Sequence, residues 1–304
     1  MSSGKNFQEK SYEQHAEHFR EYGEGGALAN HAKTWFENDT VDAWRHQRMY
    51  ACLNPILAAE PDAKWLTVGD GRYGKDAKYI LDQGSDALAT DISDVLLKEA
   101  SDLGYISKYK KENSESLSFK ESEFDYVFCK ESYHHFPRPM QALYEMLRVA
   151  DKGVVLIEPN DVLINDKILN ILFRNFKNTL KRLLGKDVSR HAFEISGNYL
   201  YGISRREIEK VALGLNYKTV AFKGVNAAYL PNVEFEKISS KGPLQNKIKK
   251  TIGRTDLLCK LGLTDYGLLT ALILKKEPSQ KLLQKLADEG YEILHLPENP
   301  YISK

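Results

Sequence analysis

Residues 65–74 read WLTVGDGRYG, and the architecture of the chain can be worked out from this stretch. Its first four residues form a short apolar run with a β-branched member, which predicts a strand. Gly69 and Gly71 then predict a tight turn, because glycine adopts conformations that other residues avoid and lets a ligand approach the backbone. The apolar positions after the turn have helical spacing: Ala77, Ile80 and Leu81. A strand, a glycine turn and a helix in this order are typical of nucleotide-binding α/β proteins.

The same alternation continues along the chain. Further strand-like runs occupy residues 87–91, 107–111, 124–129, 154–158, 218–223 and 268–275. Helical stretches separate most of them, such as the one that contains Met140, Leu143 and Leu147. This alternation predicts βαβ units and a parallel sheet with helices on both faces. We therefore predict an α/β fold, Rossmann-like and doubly wound, with a mostly parallel seven-stranded sheet.

Three segments flank or interrupt the predicted core, which spans residues 61–276. Residues 1–60 have loosely helical apolar spacing, and we expect them to form an N-terminal helical cap. Residues 161–200 break the alternation and predict an insertion, or lid, after strand five. The C-terminal tail, 277–304, predicts a short helix and then a strand at 291–294.

Composition narrows the class of protein. The chain has 304 residues, of which 42% are hydrophobic, so it can bury a globular core. Its 43 lysines and arginines nearly balance 42 aspartates and glutamates, leaving a formal net charge of +1. A general polyanion binder usually has a clear basic excess, so we expect no nucleic-acid partner.

Cysteine usage and hydropathy favour a cytoplasmic location. Cys52, Cys129 and Cys259 are too few and too scattered for a disulfide framework, which favours a reducing compartment. The first residues lack the apolar centre of a signal peptide. The longest apolar run, 268–274, is far shorter than the roughly 20 residues that cross a bilayer.

The glycine turn and a later carboxylate together predict a nucleoside cofactor. Residues 69–74 have the G-x-G-x-x-G spacing, and Asp91 follows about 20 residues later at the end of the next predicted strand. A carboxylate at this place can accept hydrogen bonds from ribose hydroxyls.

Two later stretches point to one family. Residues 112–119 read ENSESLSF after the third strand, and residues 124–136 read FDYVFCKESYHHF around the end of the fourth; the next helix ends in MLRV at 146–149. With these stretches the chain resembles the class I S-adenosylmethionine-dependent methyltransferases over residues 64–159. It departs from that family at Thr67, where an acidic residue is common, and at Tyr73, where glycine is common.

The resemblance implies S-adenosylmethionine as cofactor and assigns residues to its parts. Gly69, Asp70 and Gly71 would form the backbone cradle, Asp91 would bind the ribose, and Ile92 would pack on the adenine. Asn113 and Ser114 would contact the adenine edge, while Lys130 would line the methionine end through its backbone. Arg45, in the predicted cap, is a candidate partner for the carboxylate of the cofactor.

Three residues are candidates for catalysis: His134, His135 and Glu158. Both histidines follow the fourth strand, at the ligand-facing edge of the sheet, and histidine suits proton removal near neutral pH. We expect His134 to face the acceptor and His135 to cap or pack before the next helix. Glu158 ends the fifth strand and is a further candidate. No metal site is expected.

The acceptor is predicted to be a small molecule, with a hydroxyl of a sugar, glycan or lipid precursor favoured. Residues 163–186 have apolar residues at helical spacing with basic residues between them. We expect a helical lid with its apolar face inward and its basic face open to an anionic acceptor or a membrane surface.

Two other functions remain open at this point. The glycine spacing would also fit an NAD(P)-dependent oxidoreductase, and Tyr126 with Lys130 has the Tyr-x-x-x-Lys spacing of one such class, although in a predicted strand. The chain could also be a non-catalytic cofactor-binding or scaffold protein. The sequence does not determine the oligomeric state.

Overall fold

A computed structural model describes residues 7–23, 25–161, 164, 167–186, 192–194 and 197–301. Parts of the predicted insertion, including Leu163, therefore lie outside the described residues: 162–163, 165–166, 187–191 and 195–196. So do the first six residues of the predicted cap and the last three of the predicted tail.

The described residues form helices and strands in alternation. The α-helices are α1 Phe7–Arg20, α2 Ala29–Lys33, α3 Val41–Tyr50, α4 Asn54–Ala59, α5 Lys75–Asp82, α6 Val95–Asp102, α7 Pro139–Val149, α8 Ile168–Leu183, α9 Arg205–Gly214, α10 Pro243–Lys260 and α11 Gln280–Asp288. The strands are β1 Lys64–Val68, β2 Asp86–Asp91, β3 Tyr109–Lys111, β4 Phe124–Lys130, β5 Ala150–Pro159, β6 Thr219–Val225, β7 Leu268–Leu274 and β8 Glu292–His295. Short 3-10 turns occupy Thr34–Phe36, Ala51–Leu53, Tyr133–His135 and Ile238–Ser240.

The strands form one sheet with the order β3-β2-β1-β4-β5-β7-β6-β8. The first five strands pair in parallel, whereas β7 is antiparallel to both β5 and β6. The predicted α/β, Rossmann-like, mostly parallel fold is confirmed. The predicted count of seven strands is wrong, because β8 from the tail pairs with β6 from Thr219↔His295 to Phe222↔Glu292. An unpaired edge strand exposes backbone donors and acceptors, and β8 satisfies those of β6.

The sheet separates two apolar layers. Side chains alternate between them, so that Trp65 packs into one layer and the adjacent Leu66 into the other. The central strands are buried on both faces, and every residue of β7, which reads LLTALIL, is buried. Continuous apolar runs of this kind mark strands covered on both sides.

The predicted cap and the predicted tail touch each other. In the described residues α11 packs against α4, the Lys281 ammonium donates to the carbonyl of Ala59 at 3.0 Å, and the Tyr291 hydroxyl donates to the carbonyl of Cys52 at 2.6 Å. Whether the three predicted segments act as separate domains stays a prediction.

The helix of the predicted insertion, α8, does not have its apolar face inward. Large apolar side chains of this helix are exposed: Leu172, Phe176, Leu180 and Leu183. The lid orientation expected from the sequence is therefore wrong. None of the described helices is both long and apolar enough to cross a membrane.

Candidate active site

A cavity of about 720 Å³ lies where β1, β2 and β4 end. Its size falls within the roughly 300–1,000 Å³ of small-molecule sites, and its place is the carboxyl edge at which open α/β sheets bind ligands. Residues that follow these three strands form one side, and α1 contributes residues of another side.

The glycine turn after β1 fits only glycine at two positions. Gly69 has a φ of +76°, and a Cβ there would lie 2.4 Å from the Cβ of Ser132. The Ser132 hydroxyl donates to the Gly69 carbonyl at 2.6 Å, so the turn and the loop after β4 are held together. A Cβ at Gly71 would lie 2.8 Å from the carboxylate of Asp91. Gly69, Asp70 and Gly71 line the cavity, as the resemblance implies.

The side chain of Asp70 stabilises the start of α5. Its carboxylate accepts from the backbone N–H groups of Asp76 at 3.0 Å and Ala77 at 2.9 Å, and from the Thr67 hydroxyl at 2.8 Å. Burial and the nearby Asp76 raise the pKa of Asp70. Thr67, where the family often has an acidic residue, thus donates to a carboxylate three residues later.

Tyr73, the second departure from the family, takes a conformation that favours glycine. Its φ is +60°, and its ring is buried against Phe36 with 4.1 Å between the centroids. Burial of a large aromatic side chain contributes favourable free energy that offsets the backbone strain.

Asp91 is buried at the end of β2 and lines the cavity. It accepts from the backbone N–H of Ser93 at 2.8 Å. Burial raises the pKa of Asp91 to about 7, although hydrogen bonds from backbone N–H groups oppose the shift. Ile92 lines the cavity next to it. The carboxylate therefore lies where ribose hydroxyls can compensate for its desolvation.

Of the two residues predicted to contact the adenine, one lines the cavity. Ser114 is buried and lines it, but Asn113 is absent from its lining. The Asn113 side-chain oxygen instead accepts from the backbone N–H of Glu115 at 2.9 Å and closes the turn. Glu112, just after β3, lines the cavity in its place. Asn113 thus stabilises a turn, and its contact with the adenine edge stays a prediction.

Lys130 brings a fixed positive charge to the cavity wall. Its ammonium group lies 3.2 Å from Asp76 Oδ1 and 3.3 Å from His46 Nδ1, and the Tyr50 hydroxyl donates to Asp76 at 2.7 Å. Burial lowers the pKa of Lys130, but Asp76 and Glu131 outweigh it and the net pKa is raised. Burial and the adjacent Lys130 lower the pKa of His46 well below its usual value. His46 is thus neutral and accepts from Lys130.

Arg45 does not line the cavity. Its guanidinium forms an ion pair with Asp42 and donates to the carbonyls of Ala228 at 2.6 Å and Ala227 at 3.1 Å. Arg45 is buried and is not among the residues that line the cavity. The hypothesis that it binds the cofactor carboxylate is therefore wrong, because these local acceptors occupy its donors.

Glu158 organises the loop after β4. It has no exposed surface, and its Oε1 accepts from the backbone N–H groups of Ser132 at 2.9 Å and Tyr133 at 3.0 Å. Its Oε2 lies 2.6 Å from His134 Nδ1. Glu158 lines neither the main cavity nor the second one, so its predicted catalytic role is corrected to a positioning role.

The two histidines differ in the cavities that they line. His134, held by Glu158, lines only a second cavity, whereas His135 lines both the main cavity and the second one. Burial lowers the pKa of His134, but the Glu158 carboxylate outweighs it and the net pKa is raised. Both residues belong to the 3-10 turn Tyr133–His135, and their ring centroids lie 3.9 Å apart. That His134 faces the acceptor stays a prediction.

A carboxylate outside the sequence prediction pairs with His135. Glu194 Oε2 lies 2.8 Å from His135 Nδ1, and Glu194 also lines the cavity. Glu194 lies in the predicted insertion, far along the chain from the recognised motifs. The sequence alone offered no spacing that would have linked it to His135.

Helix α1 forms a wall of the cavity, which the sequence did not predict. Tyr12, His15 and Phe19 line the cavity and recur every three or four residues, which is the spacing of one helix face. The Ser11 hydroxyl donates to the Asn198 side-chain oxygen at 2.5 Å, and the Asn198 amide donates to the His135 carbonyl at 2.8 Å. Burial and the nearby His135 lower the pKa of His15 to about 4.

A search of the described residues for three or more histidine, cysteine, aspartate or glutamate side chains arranged around a metal ion finds none.

The comparisons with known proteins agree with this geometry. Residues 66–157 match the family model described as "Methyltransferase domain". The chain is similar in structure to a Burkholderia thailandensis 1,6-didemethyltoxoflavin N1-methyltransferase with bound 1,6-didemethyltoxoflavin and S-adenosylhomocysteine, at 12% identity over 91% of this chain and 94% of that chain, with a TM-score of 0.52. It is also similar to a SAM-dependent methyltransferase from Thermotoga maritima, at 14% identity over 85% and 99% of the two chains, with a TM-score of 0.46. No curated protein sequence matches it.

A glycine turn after β1 and a buried carboxylate after β2, both at one cavity, define a Rossmann-like protein that binds a nucleoside cofactor. The family match spans β1 to β5 and contains both features. Residues 66–157 form a methyltransferase domain, and the protein is an S-adenosylmethionine-dependent methyltransferase with S-adenosylmethionine as its cofactor. This identification takes precedence over the oxidoreductase and scaffold alternatives.

We expect Asp91→Asn to weaken binding of S-adenosylhomocysteine about 10- to 100-fold, because it removes charge-assisted hydrogen bonds to the ribose. Since burial raises the pKa of Asp91 to about 7, the affinity of the wild type should fall as the pH decreases below 7. The variant should lack this dependence. Calorimetry at several pH values measures both effects.

The matched control is Asp94→Asn, which makes the same change three residues away on a half-exposed carboxylate outside the cavity lining. An Asp91 variant that binds like this control would remove Asp91 from the site.

Proposed function

We propose that the enzyme transfers the methyl group to a hydroxyl of a small acceptor, a sugar, glycan or lipid precursor, with His135 as the general base. The observation that carries this proposal is the His135–Glu194 pair at the cavity wall. The bound cofactor supplies an electrophilic methyl group on a sulfonium centre.

The pair is suited to removing a proton from a hydroxyl. A carboxylate only accepts hydrogen bonds, so Nδ1–H of His135 donates to Glu194 and the lone pair of the neutral ring lies on Nε2. A hydroxyl is a weak nucleophile until its proton is removed, and a positioned base contributes about 10² to 10⁴ in rate. A neutral amine needs no such base before attack, so this pair favours oxygen as the acceptor atom.

The cavity lining supports an acceptor with both polar and apolar parts. Gln14 and His18 of α1 bring polar groups to it, and Phe19 and Phe193 bring aromatic rings. Polar side chains can bind the hydroxyls of a sugar-like acceptor, and the rings can pack against an apolar part. Holding donor and acceptor in line is itself worth about 7 to 11 kcal/mol of the barrier.

The acceptor class can be tested with labelled S-adenosylmethionine and matched pairs of acceptors that differ only in a hydroxyl or an amine at one position. We expect label to enter the hydroxyl members of sugar, glycan-precursor or lipid-precursor pairs, with the methyl–oxygen bond identified by mass spectrometry. Exclusive methylation of the amine members would contradict the proposal.

We also propose a cytoplasmic location. All three cysteines are free thiols, and Cys52 and Cys129 are buried. Burial raises the pKa of both buried thiols, which makes them poor nucleophiles. Fractionation of cells followed by immunodetection would test this location.

A further inference from the structure

Helix α8 exposes a stripe of large apolar side chains. Leu172, Phe176 and Leu183 are 58%, 68% and 79% exposed. The half-buried positions on the opposite side of the helix are mostly polar, namely Asn170, Arg174, Asn178 and Lys181, with Ile171 among them; Leu169 is half-buried as well. A surface helix of a soluble protein normally buries its apolar stripe against the core. The apolar side chains of α8 are therefore available to bind another surface.

Positive charge accompanies the stripe. Residues 167–186 contain six basic residues and no acidic residue: Lys167, Arg174, Lys177, Lys181, Arg182 and Lys186. Three of them, Lys177, Arg182 and Lys186, are exposed. An exposed apolar stripe with exposed lysine and arginine beside it is typical of helices that lie in the interface of an anionic membrane.

The segments on both sides of α8 reach the site. Ile164, before the helix, lines the second cavity together with His134. Phe193, after the helix, lines the main cavity and is 67% exposed. A surface that holds α8 would therefore lie beside the acceptor end of the cavity.

We propose that α8 binds the surface of a membrane that contains anionic lipids, with its exposed apolar side chains in the interface and its exposed basic side chains, such as Lys177 and Arg182, at the headgroups. Charge complementarity selects this occupant over a second copy of the chain, because two copies would bring two basic helices together. The extension that the acceptor is a lipid precursor presented by the same membrane rests on the proposed function.

The experiment is co-sedimentation of the full chain with vesicles of phosphatidylcholine, alone or mixed with phosphatidylglycerol. We expect binding to the mixed vesicles, weakened at high salt because the Debye length falls from about 10 Å at 0.1 M to about 3 Å at 1 M. Each basic residue at such a surface accounts for about a fivefold change in partitioning. The double variant Lys177→Glu with Arg182→Glu should therefore bind at least about 25-fold more weakly, and Phe176→Ser with Leu183→Ser should also lose binding.

The matched control is Leu257→Ser with Leu261→Ser, which changes two leucines on or just after α10 that are 58% and 63% exposed. This control should bind vesicles like the wild type. Wild-type protein that ignores mixed vesicles, or α8 variants that bind as well as the control, would overturn the proposal. A dimer in solution that the Phe176 and Leu183 changes dissociate, without vesicle binding, would identify a second copy as the occupant instead.

Vesicle binding requires neither cofactor nor acceptor. If the protein methylates a hydroxyl in solution but does not bind vesicles, only the proposal of a membrane-binding surface is refuted. Vesicle binding beside exclusive methylation of amines would refute the proposed acceptor atom alone.

Discussion

His135→Ala lowers kcat on a hydroxyl acceptor by about 10² to 10⁴, the range that a positioned general base contributes. Binding of S-adenosylhomocysteine should stay within about twofold of the wild type, because the cofactor residues on β1 and β2 are untouched. The loss of kcat is expected because His135 lines the cavity and its Nδ1 lies 2.8 Å from Glu194 Oε2, which orients the ring. Added imidazole should restore part of the lost activity.

His134→Ala is the control, since it removes the adjacent ring that faces the second cavity. It should retain most of kcat and lose stability instead, because its partner Glu158 stays buried. Equal losses of kcat in both variants, without rescue by imidazole, would mean that neither histidine is the base.

Glu158→Ala should lower the free energy of unfolding by about 3 to 5 kcal/mol, the usual cost of breaking a buried ion pair. Glu158 is fully buried and its two oxygens accept from two backbone N–H groups and from His134. Glu158→Gln keeps an oxygen for the two N–H groups and should cost about half as much. Urea unfolding of the two variants measures the difference.

The contribution of this pair depends on pH in a definite direction. The pKa of His134 is raised above 6.5 in the folded state, so the stabilising effect is complete below that pH and is lost as the pH rises through the folded-state pKa. The difference in stability between wild type and His134→Ala should therefore shrink at alkaline pH. A Glu158→Ala variant as stable as the wild type would show that the loop after β4 does not depend on this carboxylate.

The sheet was predictable because its strands bury both faces and read as continuous apolar runs, as in β4 and β7. The glycine turn and Asp91 were predictable because backbone space and a strand-end carboxylate are local requirements. The sequence predicted β8 as a strand but did not place it in the sheet. Its pairing with β6 depends on the edge of the sheet at which β6 lies, and no local pattern reports that.

Other parts of the site depend on long-range contacts that no local pattern reports. His134 and His135 are adjacent in sequence, and only their distant partners, Glu158 and Glu194, distinguish them. Arg45 is typical of a ligand-binding arginine until its partners Asp42 and Ala228 are known. The periodicity of α8 was correct, but periodicity does not tell which face meets the protein.

The contact between α4 and α11 has a consequence for the order in which the molecule is assembled. The hydrogen bond from Tyr291 to Cys52 joins residues 239 positions apart, and the buried leucines Leu282 and Leu286 belong to the same apolar layer as Ile56. During synthesis, the ribosome releases Ile56 long before it releases those leucines, so this face of the nascent chain stays uncovered until residues 280–291 emerge. Contacts of such long range slow folding and leave apolar surface open to aggregation in the meantime. Quality control of this enzyme in the cell therefore depends on residues that lie far in sequence from its catalytic motifs.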